Sequence, residues 1–323
     1  MNRLFTPEDI RDVYLKIVQR GHSFIFSKLT LSDKKRTRSS FNSTNINGSN
    51  WWNIPRVRER WNYLITGDEK VTYEKYVSEK FGSQQHVKMI SLGSGICSHE
   101  LEFARLNPGW EITCVDFSEK LLNIARITAE KEGLTNIRFV VEDVYAYNFP
   151  DDFYNIVLFH SSLHHFKNLS EFIGKIHNVL AVKGKLIINE YVGPNRMQYN
   201  KQQVKEINNC LQLIDKEYRK IYKTGLYKNR YYGSGIVRMI VSDPSECIES
   251  ENILPVIKNY FKIIEEKGFG GNLLMPVLKD ISHHFITLDE YKTECLEKLF
   301  RYEDEYLKNH QSDFMFGIYE AVK

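Results

Sequence analysis

The chain has 323 residues, a formal charge of +3, and 26% charged against 42% hydrophobic residues. These are the proportions of a globular fold with a sizeable core, not of a disordered, fibrous or coiled-coil chain. So small a positive excess falls short of the concentrated basicity that phosphate backbones demand, so no nucleic-acid partner is expected. Five widely spaced cysteines without a C-x-x-C pair speak against a disulfide framework or a zinc knuckle and fit a reducing cytoplasm. The opening residues carry acids and a proline where a secretion signal needs an apolar stretch, and no segment approaches the roughly 18 apolar residues of a membrane span, so no membrane partner is expected either.

Thr6-Pro7 reads as a helix start, followed by Ile10, Val13, Tyr14, Ile17 and Val18 at helical spacing. Residues 39–50 contain nine Ser, Thr or Asn in twelve and read as a polar, mobile loop. Trp51, Trp52, Ile54, Trp61 and Tyr63 form an aromatic cluster, and a turn at Thr66-Gly67-Asp68 leads to a helix ending near Phe81. From Val87 short apolar runs alternate with helical patterns, the signature of βαβ units. Strands are predicted at 87–92, 111–116, 137–142, 154–160 and 185–192, with helices at 97–106, 119–132 and 168–181 between them. Ser118 caps the second of these helices and Gly133 ends it. Beyond Pro194 the spacing predicts a helix around 197–222, a helix start at Asp243-Pro244-Ser245-Glu246, a strand at 260–266, a helix bearing Leu288 to Tyr302, and a closing strand at 313–321.

Ser91-Leu92-Gly93-Ser94-Gly95-Ile96-Cys97 connects a buried strand directly to a helix, and its two glycines permit close backbone approach to a ligand. Asp116 ends the next strand, where a carboxylate can accept hydrogen bonds from both hydroxyls of a ribose. The pair points to a nucleoside-containing cofactor. Ser98 stands where the dinucleotide fingerprint has glycine, which disfavours a nicotinamide cofactor, and no P-loop is present.

On these motifs residues 87–192, and more weakly the closing strands, resemble the class I S-adenosylmethionine-dependent methyltransferases. The resemblance implies an α/β, Rossmann-like fold: a seven-stranded, mostly parallel sheet with an antiparallel last strand, a helical N-terminal lid and a helical insertion after strand 5. The implied division is 1–86 for the lid, 87–192 and 259–323 for the cofactor-binding core, and 193–258 for the insertion, with no second independent domain. S-adenosylmethionine would lie against Gly93, Ser94 and Gly95, its ribose on Asp116, its adenine beside Phe117 and against Asp143 or its neighbour Glu142 in Glu142-Asp143-Val144. Arg60 is placed to reach its carboxylate from the lid. Ser91, where the family often has an acid, and Cys97, where it often has glycine, depart from the pattern.

Methyl transfer needs chiefly an aligned acceptor and exclusion of water, and a base only where the acceptor carries a proton. His160, His164 and His165, at or just past a strand's carboxyl end, are the base candidates, His160 being equally a cofactor contact. The spacing of His160 and His164 serves a metal only on a continuous helix, so no metal is expected. His283-His284 reads as packing at a helix end. Between 216 and 238 seven Lys or Arg interleave with tyrosines against one acid, either a solvated face or a patch for an anionic acceptor held by Tyr191, Arg219, Arg230 and Tyr231. The expected function is methylation of a small-molecule or peptide-derived acceptor, at a carboxylate or hydroxyl oxygen, with amine N-methylation and a catalytically silent binding module as alternatives.

Overall fold

The computed structural model describes residues 3–20, 49–82 and 86–323; the predicted loop at 39–50 lies, but for its last two positions, outside them. Before the first strand these residues hold α1 (Pro7–Arg20), α2 (Pro55–Thr66) and α3 (Tyr73–Phe81). Helix α1 begins at Pro7 as expected; the Thr6 hydroxyl donates to the Gly233 carbonyl, and the Asp9 carboxylate accepts the Thr6 N–H. The alternating part follows as β1 (Lys88–Leu92), α4 (Ser98–Leu106), β2 (Glu111–Asp116), α5 (Glu119–Glu132), β3 (Ile137–Val141), β4 (Tyr154–His160), α6 (Leu169–Val179) and β5 (Leu180–Tyr191). Helix α5 is bounded as its sequence dictates. Ser118 accepts the Leu121 N–H, Gly133 takes the left-handed conformation at φ +68°, and Leu121, Leu122, Ala125 and Ala129 form the buried stripe.

The chain closes with α7 (Lys201–Leu211), α8 (Ile236–Ser242), α9 (Ile253–Tyr260), β6 (Phe261–Gly270), α10 (Leu274–Leu278), α11 (Glu290–Leu307) and β7 (Phe314–Ala321). Two predicted helices are corrected. The one expected over 197–222 is confined to α7, because Leu213 and Ile214 bond back to Cys210 and Leu211 in tight turns that carry Ile214 into the core. At Asp243 no helix starts: its carboxylate accepts both the N–H and the hydroxyl of Ser245, closing a local turn, and α-helix resumes only at Ile253, after a 3-10 turn at Ser250–Asn252.

The seven strands form one sheet in the order β3-β2-β1-β4-β5-β7-β6, parallel from β3 to β5 and antiparallel at its last strands, as the expected Rossmann-like fold requires. Strand β5 begins five residues before its predicted start because Leu180 already pairs with Tyr154, ahead of an irregularity that brings Lys185 opposite Ile156. The carboxyl ends of β1 to β5 converge on one edge of the sheet, where ligands bind in such folds.

The chain divides into two compact units. One comprises residues 62–192, 248–267 and 315–323, with a core built from the strands and Phe172, Ile173, Ile176, Ile253 and Ile257. The other comprises residues 1–61, 193–247 and 268–314, around Trp51, Ile54, Ile207, Leu211, Leu278, Leu296 and Leu299. The segment 259–323, expected to belong as a whole to the cofactor-binding core, is therefore divided. The buried face of α11 packs into the second cluster, which gives the residues outside the sheet unit an apolar core of their own, where the sequence suggested no second body.

Candidate functional site

After β1 the backbone turns through Gly93 at φ +73° and Gly95 at φ +55°, into Cys97, itself left-handed at φ 55°. The N–H groups of Gly93 and Ser94 both point to the Val115 carbonyl, at 2.9 and 3.4 Å, tying the turn to β2. The two glycines are required for different reasons. A Cβ on Gly93 would lie 2.9 Å from the Ser162 Cβ of the loop after β4, whereas a Cβ on Gly95 would meet nothing within 4 Å and would project into open space. Only the second leaves room for a ligand against the backbone.

Asp116, 3% exposed, reaches into this turn: one carboxylate oxygen accepts the Gly95 N–H at 2.9 Å and the other the Ser118 N–H at 2.7 Å. These two bonds aim the Asp116 carboxylate at the glycine turn. Gly93, Ser94, Gly95 and Asp116 are thus brought together, with half-buried Phe117 following Asp116. The end of β3 joins them, since the Glu142 N–H bonds to the Asp116 carbonyl at 3.1 Å. Of the two acids there, Asp143 is half-buried and turns back to accept the Tyr145 N–H, while Glu142 is exposed and Val144 is buried. Ser91, the position lacking an acid, donates to the buried Glu100 of α4 at 2.5 Å, so a carboxylate stands behind the strand end after all. Burial raises the pKa of Glu100.

The three histidines of the β4 loop have different surroundings. His164 places Nδ1 2.7 Å from Oε2 of Glu190, a fully buried residue near the end of β5. The other oxygen of Glu190 accepts the N–H of Ser162 and, at 2.6 Å, that of Leu163. A carboxylate so occupied can only accept from His164, so the imidazole carries a proton on Nδ1. Tyr191 is buried with its ring edge-on to His164, and the His165 ring lies 4.2 Å from that of His164. Glu190 was not among the sequence candidates, and a separation of 26 positions between a loop and a strand end offers no periodic signal.

His160, by contrast, points into a buried polar cluster. Its Nδ1 is 3.0 Å from the Tyr73 hydroxyl and its ring stacks on that of His99 at 3.5 Å. His99 bonds Glu74 at 2.5 Å. Burial, with His99 and His164 close by, pushes the His160 pKa well below its usual value. For His99 burial also opposes the charge, but the bond to Glu74 and the charges of Glu74 and Glu100 outweigh it and raise the pKa. Tyr73, Glu74 and His99, from α3 and α4, were not singled out in the sequence. The lowered pKa makes His160 a weaker proton acceptor, and its Nδ1 is turned to the Tyr73 hydroxyl.

In the second unit several expected contacts are corrected. Arg60 does not offer itself to a cofactor: its guanidinium binds Asp304 through two nitrogens, at 2.7 and 3.3 Å, 3.7 Å from Glu303 and over the Phe300 ring. The basic segment is not a continuous patch. Lys228 is buried and donates to the carbonyls of Pro276 and Lys279, its pKa pushed down by burial to about 7. Arg238 pairs with Asp9 and Asp12, and Arg219 with Gln212. Tyr231 is a core residue anchored on Asn208, which removes its expected acceptor role, whereas Arg230 is exposed over the Tyr232 ring. His284 bonds the Lys220 carbonyl. No helix among the described residues is long and apolar enough to cross a membrane.

Residues 83–235, just under half of the chain, match a family described as "Methyltransferase domain". Demethylmenaquinone methyltransferase of Thermus thermophilus is 31% identical over 107 residues, which are 33% of this chain and 48% of that protein. Ubiquinone/menaquinone biosynthesis C-methyltransferase of Stutzerimonas stutzeri is 22% identical over 142 residues, 43% of this chain and 56% of that protein. The chain spans about half the length of these relatives. Among solved structures, phosphoethanolamine N-methyltransferase 2 of Haemonchus contortus, in complex with S-adenosyl-L-methionine, has the same fold at a TM-score of 0.53 and 16% identity, over 91% of this chain and 61% of that one.

Proposed function

We propose, from the premise that this chain carries a class I S-adenosylmethionine-dependent methyltransferase domain, that it methylates a small molecule bearing a weakly acidic hydroxyl, with His164 as the base and Glu190 as the residue that orients it. The bond between His164 and Glu190 carries the reading. S-adenosylmethionine, the cofactor of this domain, supplies when bound a methyl group made electrophilic by its sulfonium. The residues gathered around the first turn fit it: open space beside Gly95 for its amino acid part, and the Asp116 carboxylate held at that turn for its ribose.

A carboxylate acceptor is ionised at neutral pH and needs no base, and three of the seven cations of the basic segment, Lys228, Arg238 and Arg219, are engaged elsewhere. A phenolic hydroxyl, with a pKa of about 10, needs its proton removed as the new bond forms. In the proposed arrangement Nε2 of His164 takes that proton while Glu190 stabilises the resulting imidazolium and keeps the ring in place. The same step activates a ring carbon next to a phenolate, and the names of the quinone-pathway relatives favour this C-methylation as a second reading.

The test is to incubate the protein with isotopically labelled cofactor and cell extract and to locate the label in the product by mass spectrometry. Label on a hydroxyl oxygen, or on a carbon beside one, supports the proposal, while label on an amine or carboxylate refutes it. Glu190→Gln should then lower kcat about 10²- to 10⁴-fold with the acid limb of the pH profile lost, because its amide donates to Nδ1 and moves the proton to Nε2. Retention of the wild-type profile would exclude His164 as the base.

A further inference from the structure

We propose that a concavity of about 220 Å³ at the amino ends of β1 to β4, the edge of the sheet opposite the glycine turn, binds a small oxyanion, a carboxylate or phosphate. Its lining includes Lys88, Glu111, Thr113, Arg138, Phe153 and Tyr154, all within the sheet unit. Register sets the polar members side by side: Lys88 is opposite Glu111, and Thr113, two residues on, is opposite Arg138, so all four project from one face of the parallel strands.

The two cations lack the partners that others in this unit have. Lys80, Arg105 and Lys185 each reach a carboxylate. Lys88 instead rests its ammonium 4.0 Å above the Phe153 ring, and among the described residues no carboxylate pairs with it. Arg138 donates through Nε to the Thr113 hydroxyl at 2.7 Å. That bond fixes the guanidinium plane and leaves both terminal nitrogens without a protein partner among the described residues. A planar fork held by its inner nitrogen is a preorganised receptor for two oxygens of one anion, and an ammonium on an aromatic face can be recruited at little cost. Glu111 lowers the net charge of the lining to +1, which favours a compact anion over an extended polyanion. Phe153, 38% exposed, offers an apolar surface to the body that carries the anionic group.

Calorimetric titration of the full chain with benzoate and with inorganic phosphate tests the proposal. Saturable one-to-one binding of at least one probe is expected, weakened about tenfold or more by Arg138→Gln and again by Lys88→Met, as loss of a hydrogen bond to a charged group implies. Glu111→Gln should strengthen it several-fold. Binding of benzoate alone assigns an aromatic carboxylate, and binding of phosphate alone a phosphorylated ligand. No saturable binding of either probe to the wild type, or wild-type affinity in folded Arg138→Gln, overturns the proposal.

Discussion

Asp116 has one role in the structure and a second in the proposed reading, and substitution can separate them. It braces the glycine turn through the Gly95 and Ser118 N–H groups, and in the proposed complex it also accepts the cofactor's ribose hydroxyls. In Asp116→Asn the shape is kept but the charge is lost, and one arm becomes an NH2 group facing a backbone donor. One of the two braces is then forfeited. A hydrogen bond to a charged group contributes about 1.5–3 kcal/mol, so the folded state should lose about that much, a fall in Tm of several degrees. The ribose loses a charged acceptor of similar worth, so Kd for S-adenosylmethionine should rise about 10- to 100-fold. Thermal unfolding and calorimetric titration on the same preparations read the two effects separately. Asp116→Ala should deepen both. A folded Asp116→Asn protein that binds the cofactor with wild-type affinity would refute the ribose assignment and leave Asp116 a brace only.

The two glycines of the turn should respond in opposite ways. Gly93→Ala meets Ser162 and adopts a left-handed φ, so it should lower Tm by several degrees, whereas Gly95→Ala carries only the backbone cost of about 1–2 kcal/mol but projects into the ligand space and should weaken cofactor binding more than stability. Arg60→Gln should destabilise by about 2–3 kcal/mol, since it leaves buried Glu303 without its nearest cation, while calorimetry should find cofactor affinity unchanged. Burial raises the pKa of Asp313 to about 7, so between its unfolded value near 4 and 7 the folded state holds a proton that the unfolded state releases, and stability falls as pH rises through that window. Asp313→Asn should flatten this dependence and raise stability above pH 7 by at most about 4 kcal/mol, with little change at pH 4. An unaltered Tm profile across pH 4–8 would contradict it.

The sheet was legible because its strands are nearly continuous apolar runs set off by strong punctuation. Strands β2 and β4 and helix α5 begin and end where Glu111, Asp116, Tyr154, His160, Ser118 and Gly133 suggested. Such local chemistry survives folding. What depends on distant partners did not show: a proline beneath an aspartate looked like a helix start until Asp243 bound Ser245, and a run of cations looked like one surface until Lys228 found two carbonyls in the core. In the site, the glycine turn and Asp116 could be read because a strand, a turn and a strand end are short-range features. Glu190 and the cluster of Tyr73, Glu74 and His99 could not, because each meets its partners only when elements far apart in sequence are packed together.

Because one buried carboxylate grips the Ser162 and Leu163 amides with one oxygen and His164 with the other, the loop and the histidine cannot be exchanged separately. Any redesign that grafts a different loop at 160–165 must bring its own occupant for position 190, and a graft that ignores that strand should lose the loop's shape and the placement of the histidine together. The interchangeable unit is not the loop but the loop with the end of its neighbouring strand.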